Sequence, residues 1–229
     1  MRPAPQSKIH GRYTGATEER LGLCAVVFDY GMVLTGPPDP VAHAEMVRIT
    51  GLEAERFEEL YWAGRHAYDL GEVTGLGFWQ KFVSDAGLSL PLAAIEELNE
   101  WDARMWTTEN PAMLAWQLKL KRRGVLTAIV SNMGDAVHRR MESKFDWLSR
   151  FDVCVWSYQL RVVKPDPPIY RNVLEKLGTP PEETWFIDDR AANVDAAVEL
   201  GMKGVVFSDV EKLRADLIAA GWDGGMPLP

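Results

Sequence analysis

A chain of 229 residues is longer than an average single domain but shorter than two, so a core domain with an inserted subdomain fits its length. Its composition, 47% hydrophobic and 25% charged, excludes a fibrous or largely disordered protein. The net charge of −8 disfavours a nucleic-acid partner, because phosphate backbones bind clustered Lys and Arg. The longest apolar runs fall far below the roughly 20 residues that span a bilayer, so we expect no membrane partner.

Two features bear on where the protein resides. Residues 1–21 lack the hydrophobic centre of a secretory signal, and we interpret them as a poorly ordered extension. Cys24 and Cys154 both lie in apolar runs predicted to be buried strands, where a thiol behaves as a small hydrophobe. This cysteine usage favours a reducing, cytoplasmic location. The oligomeric state has no signature in the sequence.

From residue 23 onward, short apolar runs alternate with longer helical patterns, which is typical of parallel strands joined by crossover helices. We therefore predict an α/β protein whose core is a doubly wound, Rossmann-like parallel sheet of five strands. Asn110 before Pro111 and Asp166 before Pro167 mark two helix starts. The predicted strands are residues 23–29, 125–131, 152–155, 184–188 and 204–207.

Residues 37–108 form an insertion between the first two predicted strands, with helical patterns broken by glycines and no strand-like run. We predict that this insertion is an all-helical cap. The catalytic core is then made of residues 22–36 and 109–229. The last four residues, 226–229, are predicted to be a loose tail.

Polar residues stand where the predicted strands end, although a buried strand has no structural need for them. In an open parallel sheet, ligands bind beyond the carboxyl ends of the strands, so we expect these side chains to meet in one crevice. Carboxylates placed together repel one another unless a cation lies between them, and an all-oxygen cluster suits magnesium. The residues at the strand ends are Asp29, Ser131 with Asn132, and Asp188 with Asp189, and Lys164 stands just ahead of a predicted crossover helix.

The same crevice suits a phosphate group. Ser131 and Asn132 lead into a predicted helix start, where backbone N–H groups and the helix dipole attract anions. Lys164 adds a positive charge that would neutralise phosphoryl oxygens. These residues predict a small phosphorylated metabolite as the ligand.

Four segments of the chain, taken in order, resemble the four motifs of the haloacid dehalogenase superfamily. Residues 26–34 (VVFDYGMVL) resemble the first motif and Ser131-Asn132 the second. Residues 163–167 (VKPDP) resemble the third, and residues 186–194 (FIDDRAANV) the fourth. Four motifs in the right order are far more specific than any one of them, and the chain is identified as a member of this superfamily.

The resemblance implies a magnesium-dependent phosphohydrolase. Asp29 would be the nucleophile and form an aspartyl-phosphate, while its second carboxylate oxygen and the Gly31 carbonyl bind the metal. Asp189 would be the direct metal ligand, and Asp188 would hold Lys164 or share the metal through water. The residues that would bind the phosphoryl group are Ser131, Asn132 and Lys164.

One position departs from the commonest pattern of the superfamily. Gly31 stands two residues after the nucleophile, where most of these phosphatases carry an aspartate that serves as general acid and base. A branch that includes glucose-1-phosphatase-like and epoxide-hydrolase-N-domain-like proteins is similar at this position, and residues 69–74 resemble its cap hairpin. We therefore expect a preference for phosphates with good leaving groups, such as sugar 1-phosphates and acyl phosphates.

The cap residues have two interpretations. In one, four of them face the substrate, and His66 supplies the missing proton transfer. In the other, His66 is a solvated helix residue and three aromatic side chains form the core of the cap. The candidates to face the substrate are Arg65, His66, Asp69 and Trp79, and the candidates for the core are Trp62, Tyr68 and Trp79.

Two other functions compete with the phosphatase. A metal-independent 2-haloacid dehalogenase would use the same aspartate, but dehalogenases resemble one another in lacking the double aspartate of Asp188-Asp189. They also carry Tyr at the position of Gly31. The second alternative is a binding or regulatory protein that has lost turnover, for which Gly31 is the only sign.

Overall fold

The described part of the structure, a computed structural model, comprises residues 23–222 and 224–229. The extension predicted for residues 1–21 lies outside these residues. The strands are β1 (Ala25–Phe28), β2 (Leu126–Ser131), β3 (Val153–Trp156), β4 (Thr184–Asp188) and β5 (Lys203–Val206). They form one parallel sheet in the order β3-β2-β1-β4-β5. The predicted α/β fold is confirmed, and each strand lies within a residue or two of its predicted bounds.

Helices pack on both faces of the sheet. The helices of this core are α5 (Pro111–Arg122), α6 (Asp135–Lys144), the short α7 (Ser157–Leu160), α8 (Pro167–Leu177), α9 (Ala191–Glu199) and α10 (Val210–Ala219). Successive side chains of β1 serve opposite faces, as the pleat of a strand requires. Val26 and Phe28 belong to one apolar core, with α5, α6 and α10, while Ala25 and Val27 belong to the other, with α8 and α9. The central strand is therefore buried on both sides.

Four helices lie between the first strand and α5. They are α1 (Pro40–Thr50), α2 (Ala54–Asp69), α3 (Gly75–Asp85) and α4 (Leu92–Met105), and we call residues 40–105 the helical insert. The insert encloses an apolar cluster of its own, in which Phe57 lies 5.3 Å from Phe82 and 6.2 Å from Trp79, measured between ring centroids. Among the described residues, no helix is long and apolar enough to cross a membrane.

The end of α2 is held against the core beside the strand ends. Tyr68 packs on Gly134, where a Cβ atom would lie only 1.9 Å from the ring, and its hydroxyl accepts a hydrogen bond from Ala136 N at 3.3 Å. Ser157 Oγ donates to the carbonyl of Asp69 at 2.5 Å. These contacts fix the position of the insert over the carboxyl ends of the strands.

The end of the chain is not the loose tail that we predicted. Met226 is buried in the core, and Trp116 Nε1 donates to the carbonyl of Pro227 at 2.7 Å. The guanidinium of Arg214 also bonds to the carbonyl of Pro229. The prediction was wrong because donors on distant helices satisfy the polar backbone of this segment, which no local pattern reveals.

Candidate active site

A cavity of about 530 Å³ opens at the carboxyl ends of β1, β2 and β4, between the sheet and the helical insert. Strand ends in a parallel sheet converge on one edge, so residues far apart in sequence meet there. The predicted site residues that line this cavity are Asp29, Gly31, Ser131, Asn132, Lys164 and Asp189. Asp188 lies directly behind them.

Asp29 is positioned by the strand that precedes it and the turn that follows. Its backbone N–H continues the β1–β4 ladder by donating to Ile187 O at 2.8 Å. Its Oδ1 atom accepts a hydrogen bond from Tyr30 N at 2.7 Å, at the start of a wide helical turn, Tyr30–Leu34. The carboxylate is therefore buried, oriented by the backbone and exposed only towards the cavity.

Lys164 bridges two carboxylates. Its Nζ atom lies 2.8 Å from Asp29 Oδ1 and 2.6 Å from Asp188 Oδ2, and all three side chains are buried. Asn132 fixes the backbone of Lys164 from both sides, since its Nδ2 donates to Lys164 O at 2.9 Å and its Oδ1 accepts from Lys164 N at 2.7 Å. We predicted Asn132 as a substrate ligand, and this positioning contact was not foreseen.

Both oxygens of Asp188 already have partners within the protein. Oδ2 accepts from Lys164, while Oδ1 accepts from Arg190 N and Asn193 Nδ2, each at 2.9 Å. Asp189, the next residue, is half-buried and lines the cavity. Of the two arrangements predicted for Asp188, its geometry favours the one in which it holds Lys164.

The carboxylates of the site have raised pKa values. Burial raises the pKa of Asp29 to about 7, with Asp188 adding to the effect and Lys164 opposing it. Burial and Asp188 also raise the pKa of Asp189. Burial lowers the pKa of Lys164, but its two carboxylate partners raise it by more. Lys164 thus offsets only part of the effect of burial on Asp29 and Asp189, whose charged forms remain disfavoured.

The acidic residues fit a divalent cation. Asp29, Asp188 and Asp189 each offer a carboxylate oxygen, and these atoms all lie within 4.8 Å of one another. An all-oxygen donor set is what magnesium prefers, and a cation there would stabilise the charged carboxylates, which burial disfavours. Gly31 lines the same cavity beside Asp29.

The start of α6 is less open to an anion than we predicted. Met133 N donates to Ser157 Oγ at 3.0 Å, and Ala136 N donates to the hydroxyl of Tyr68. These two amides are therefore not available to a phosphate, because Ser157 of α7 accepts from the first and Tyr68 of the docked insert accepts from the second. Ser131 keeps its place in the cavity wall at the end of β2.

Of the four insert residues that were candidates to face the substrate, two line the cavity. Arg65, Asp69 and Trp62 line it, and Trp62 is 54% exposed rather than part of the insert's core. His66 is exposed and does not line the cavity, which agrees with the interpretation of His66 as a solvated helix residue. Trp79 is fully buried, which excludes it from facing the substrate and confirms it, together with Tyr68, as core.

A buried polar network holds Asp69 at the cavity wall. Arg65 donates from Nε to Asp69 Oδ1 at 3.1 Å, and from Nη1 to Tyr61 OH at 2.7 Å and to both oxygens of Asp102 at 3.3 Å. Burial raises the pKa of Asp69, although Arg65 opposes the shift. Asp102 was not foreseen, because it lies on α4, far along the chain from Arg65.

The comparison with family models settles the family. The model for haloacid dehalogenase-like hydrolases matches residues 25–201, which is most of the chain. The chain belongs to the haloacid dehalogenase-like hydrolases. It is therefore a hydrolase, and the resemblance carried by the four motifs is confirmed.

Curated relatives of this haloacid dehalogenase-like hydrolase match it over different lengths. Phosphatase MT3486 of Mycobacterium tuberculosis is 29% identical over 203 residues, which are 86% of this chain and 93% of that protein. Bifunctional epoxide hydrolase 2 of Rattus norvegicus is 31% identical over 112 residues, 47% of this chain. The matched part spans about a fifth of the length of that epoxide hydrolase.

Solved structures of the family share the fold. The enzyme bt-2542 of Bacteroides thetaiotaomicron, in complex with magnesium and inorganic phosphate, has a TM-score of 0.69 at 22% identity and covers 89% of this chain and 98% of its own. The L-2-haloacid dehalogenase of Xanthobacter autotrophicus has a TM-score of 0.62 at 19% identity, covering 90% and 84%. At these identities the likeness establishes the architecture alone.

Proposed function

We propose that this hydrolase is a magnesium-dependent phosphatase that acts on a small phosphorylated metabolite, with Asp29 as the nucleophile. The observation that carries the proposal is the buried arrangement of Asp29, Lys164 and Asp188, with Asp189 beside them in one cavity. Phosphatase MT3486 and the magnesium and phosphate complex of bt-2542 support the same chemistry.

The reaction has two steps, each of which exchanges one bond at phosphorus. In the first, an oxygen of Asp29 bonds to phosphorus as the bond to the leaving oxygen breaks, and the departing oxygen takes up a proton. In the second, water attacks the same phosphorus, loses a proton and releases Asp29 and inorganic phosphate. Lys164 and Ser131 stabilise the negative charge on the phosphoryl oxygens in both transition states.

The residues that would hold magnesium are Asp29, Asp189 and the carbonyl of Gly31. Asp188 keeps Lys164 in place, since both of its oxygens are engaged. When bound, the metal supplies positive charge that offsets both the carboxylates and the phosphoryl oxygens.

We assign proton transfer to Asp69, because Gly31 stands where most of these phosphatases carry the aspartate that serves as general acid and base. A Cβ atom at Gly31 would meet no other described atom within 4 Å, so the usual position of the acid is open space. Of the described residues that line the cavity, the insert contributes Arg65 and Asp69 as ionisable side chains. The raised pKa of Asp69 lets it hold a proton at higher pH than an ordinary carboxyl group does.

Leaving-group dependence tests this assignment. Asp69→Asn should steepen the dependence of turnover on leaving-group pKa, because the departing oxygen then leaves without a proton donor. Gly31→Asp should flatten it, since the new carboxyl enters open space at a φ of −63° that suits any residue. His66→Ala is the control and should leave it unchanged. Equal slopes for wild type and Asp69→Asn, with chemistry rate-limiting, would show that the acid is another group.

Magnesium dependence is tested by chelation. A chelator should abolish phosphate release and magnesium should restore it, whereas chloride release from 2-haloacids in the presence of chelator would favour the dehalogenase.

The stability of the metal-free protein should depend on pH through Asp29. Burial raises the pKa of this carboxyl group from its ordinary value of 3.8 to about 7 in the folded protein, so the folded state should lose stability as the pH rises between these two values. The thermal shift on adding magnesium should therefore be larger above a pH of about 7 than below it. A shift of equal size on both sides would contradict this coupling.

The proposal includes a reducing, cytoplasmic location. The thiol of Cys24 donates to Glu183 Oε2 at 2.7 Å, and Cys154 lies half-buried in β3. Burial raises the pKa of the Cys154 thiol to about 11, so it stays protonated and unreactive near neutral pH. These properties fit cysteines that serve as packing residues.

A further inference from the structure

Two tryptophans, one in the helical insert and one directly after it, lie between the active-site cavity and a second cavity. Trp62 of α2 and Trp106, which follows α4, line both the cavity of about 530 Å³ and a neighbouring one of about 250 Å³. The second cavity is otherwise walled mainly by apolar residues. The apolar and aromatic residues of this wall are Pro38, Pro40, Phe57, Tyr61 and Met105. The two cavities therefore meet at a pair of indole rings.

Trp62 is held in place although most of its ring is in solvent. Its Nε1 atom donates to Glu58 Oε2 at 2.7 Å, and its ring packs edge-on against Tyr61 at 5.0 Å between centroids. Glu58 is itself bonded to His43 Nε2 at 2.5 Å, which balances its charge when the histidine is protonated. Trp62 is 54% exposed and lines both cavities, so a large, fixed ring surface is available to a ligand there.

Met32 adds an apolar surface to the wall of the active-site cavity. Its backbone has a φ of 62°, a left-handed conformation that a residue with a long side chain adopts at a cost. The side chain is 37% exposed and lines the cavity. The turn after Asp29 thus places apolar atoms close to the reacting group.

The cations of this region lie around the phosphoryl site. Lys164, Arg65 and Arg190 line the active-site cavity. Among the described residues, none that lines the second cavity is Lys or Arg, and His43 there is paired with Glu58. The second cavity therefore suits an uncharged group and would not hold a second phosphate.

We propose that Trp62 and Trp106 bind the leaving group of the substrate, and that the substrate is the phosphate monoester of an uncharged alcohol that carries an aromatic ring. This inference rests on the proposed phosphatase function. The phosphate occupies the strand ends near Lys164, and the ring of the alcohol packs on the indoles, where planar groups bind well. Burial of the aromatic ring against the indoles also excludes water from the departing oxygen.

The test compares two phosphate esters whose alcohols are almost equally basic, 2-phenylethyl phosphate and ethyl phosphate, so that only the ring distinguishes them. The wild-type enzyme should prefer the phenylethyl ester by at least about tenfold in kcat/KM, mainly through KM, because burial of a ring favours binding by more than about 1.4 kcal/mol. Trp62→Ala should remove most of this preference, and Trp62→Phe should retain part of it.

Trp101→Ala is the matched control. Trp101 lies on α4 of the same insert and also bonds through Nε1 to a glutamate four residues earlier, but it lines neither cavity. This variant should keep the wild-type preference. An equal preference in wild type and Trp62→Ala, or equal losses in Trp62→Ala and Trp101→Ala, would overturn the assignment.

Acetyl phosphate, which carries no ring, separates this inference from the proposed function. Turnover of acetyl phosphate by wild type and by Trp62→Ala, without any preference for the phenylethyl ester, would overturn the aromatic site alone. Failure of the wild-type enzyme to release phosphate from all three compounds with magnesium present would overturn both proposals. Thermal unfolding should show Trp62→Ala close to wild type, because its side chain is more than half exposed.

Discussion

Asp29→Asn is expected to lower phosphate release by at least about a thousandfold while the protein stays folded. An amide is a poor nucleophile for phosphorus, so the first step fails. The fold should survive, because the raised pKa of Asp29 shows that its charged form is disfavoured by burial, and a neutral side chain of the same shape avoids that cost.

Initial rates of phosphate release and thermal unfolding of the same preparation measure the two effects. Asp85→Asn is the control, since Asp85 is a carboxylate at the end of α3 whose partner is the exposed Lys81. This control should keep full activity. Phosphate release close to the wild-type rate by Asp29→Asn would contradict the mechanism, because another group would then have to attack phosphorus.

Lys164→Met is expected to abolish activity and to destabilise the protein by about 3–5 kcal/mol when magnesium is absent. Methionine keeps most of the side-chain volume but removes the charge between Asp29 and Asp188, which then face each other without a compensating cation. Magnesium should restore more stability to this variant than to wild type, since it replaces the positive charge that Lys164 supplied to these carboxylates.

Thermal unfolding with chelator and with magnesium gives the comparison. Lys81→Met removes a lysine from an exposed ion pair with Asp85 and should change neither activity nor the response to magnesium. Equal thermal shifts for Lys164→Met and wild type would show that Lys164 and the metal do not compensate for each other.

The sheet and the residues at its edge could be predicted from the sequence because both depend on local patterns. Strand β1 is a continuous apolar run buried on both faces, and such a run ends where a charged residue such as Asp29 appears. Because the carboxyl ends of parallel strands meet at one edge, Asp29 and Asp188 could be grouped from the predicted strand ends alone. Lys164 was placed with them because it precedes a crossover helix.

The face that each helical residue presents could not be predicted, because it depends on contacts between distant segments. His66 and Trp62 lie on the same helix, yet only Trp62 turns towards the cavity. Backbone amides at the helix start after Ser131 and Asn132 were expected to attract a phosphate, but two amides there donate instead to Ser157 and Tyr68. No spacing within α2 or α6 encodes these contacts.

The hydrogen-bond network around Asp69 also depends in part on contacts between distant segments. Arg65 and Asp69 are four residues apart on α2, so their ion pair is visible as a helical spacing. The second acidic partner of Arg65, Asp102, comes from α4, and only the packing of two helices brings it there. We therefore propose Asp69 as the acid from the three-dimensional structure rather than from the motifs.

The most direct test of the account is to trap the covalent intermediate. The enzyme is quenched in acid during turnover of acetyl phosphate, treated with borohydride, which reduces an acyl phosphate to an alcohol, and digested for mass spectrometry. The account predicts that Asp29 is converted to homoserine, only when substrate and magnesium are both present, and that no other carboxylate is reduced. Rapid phosphate release with no homoserine at position 29, or with homoserine at another aspartate, would contradict it.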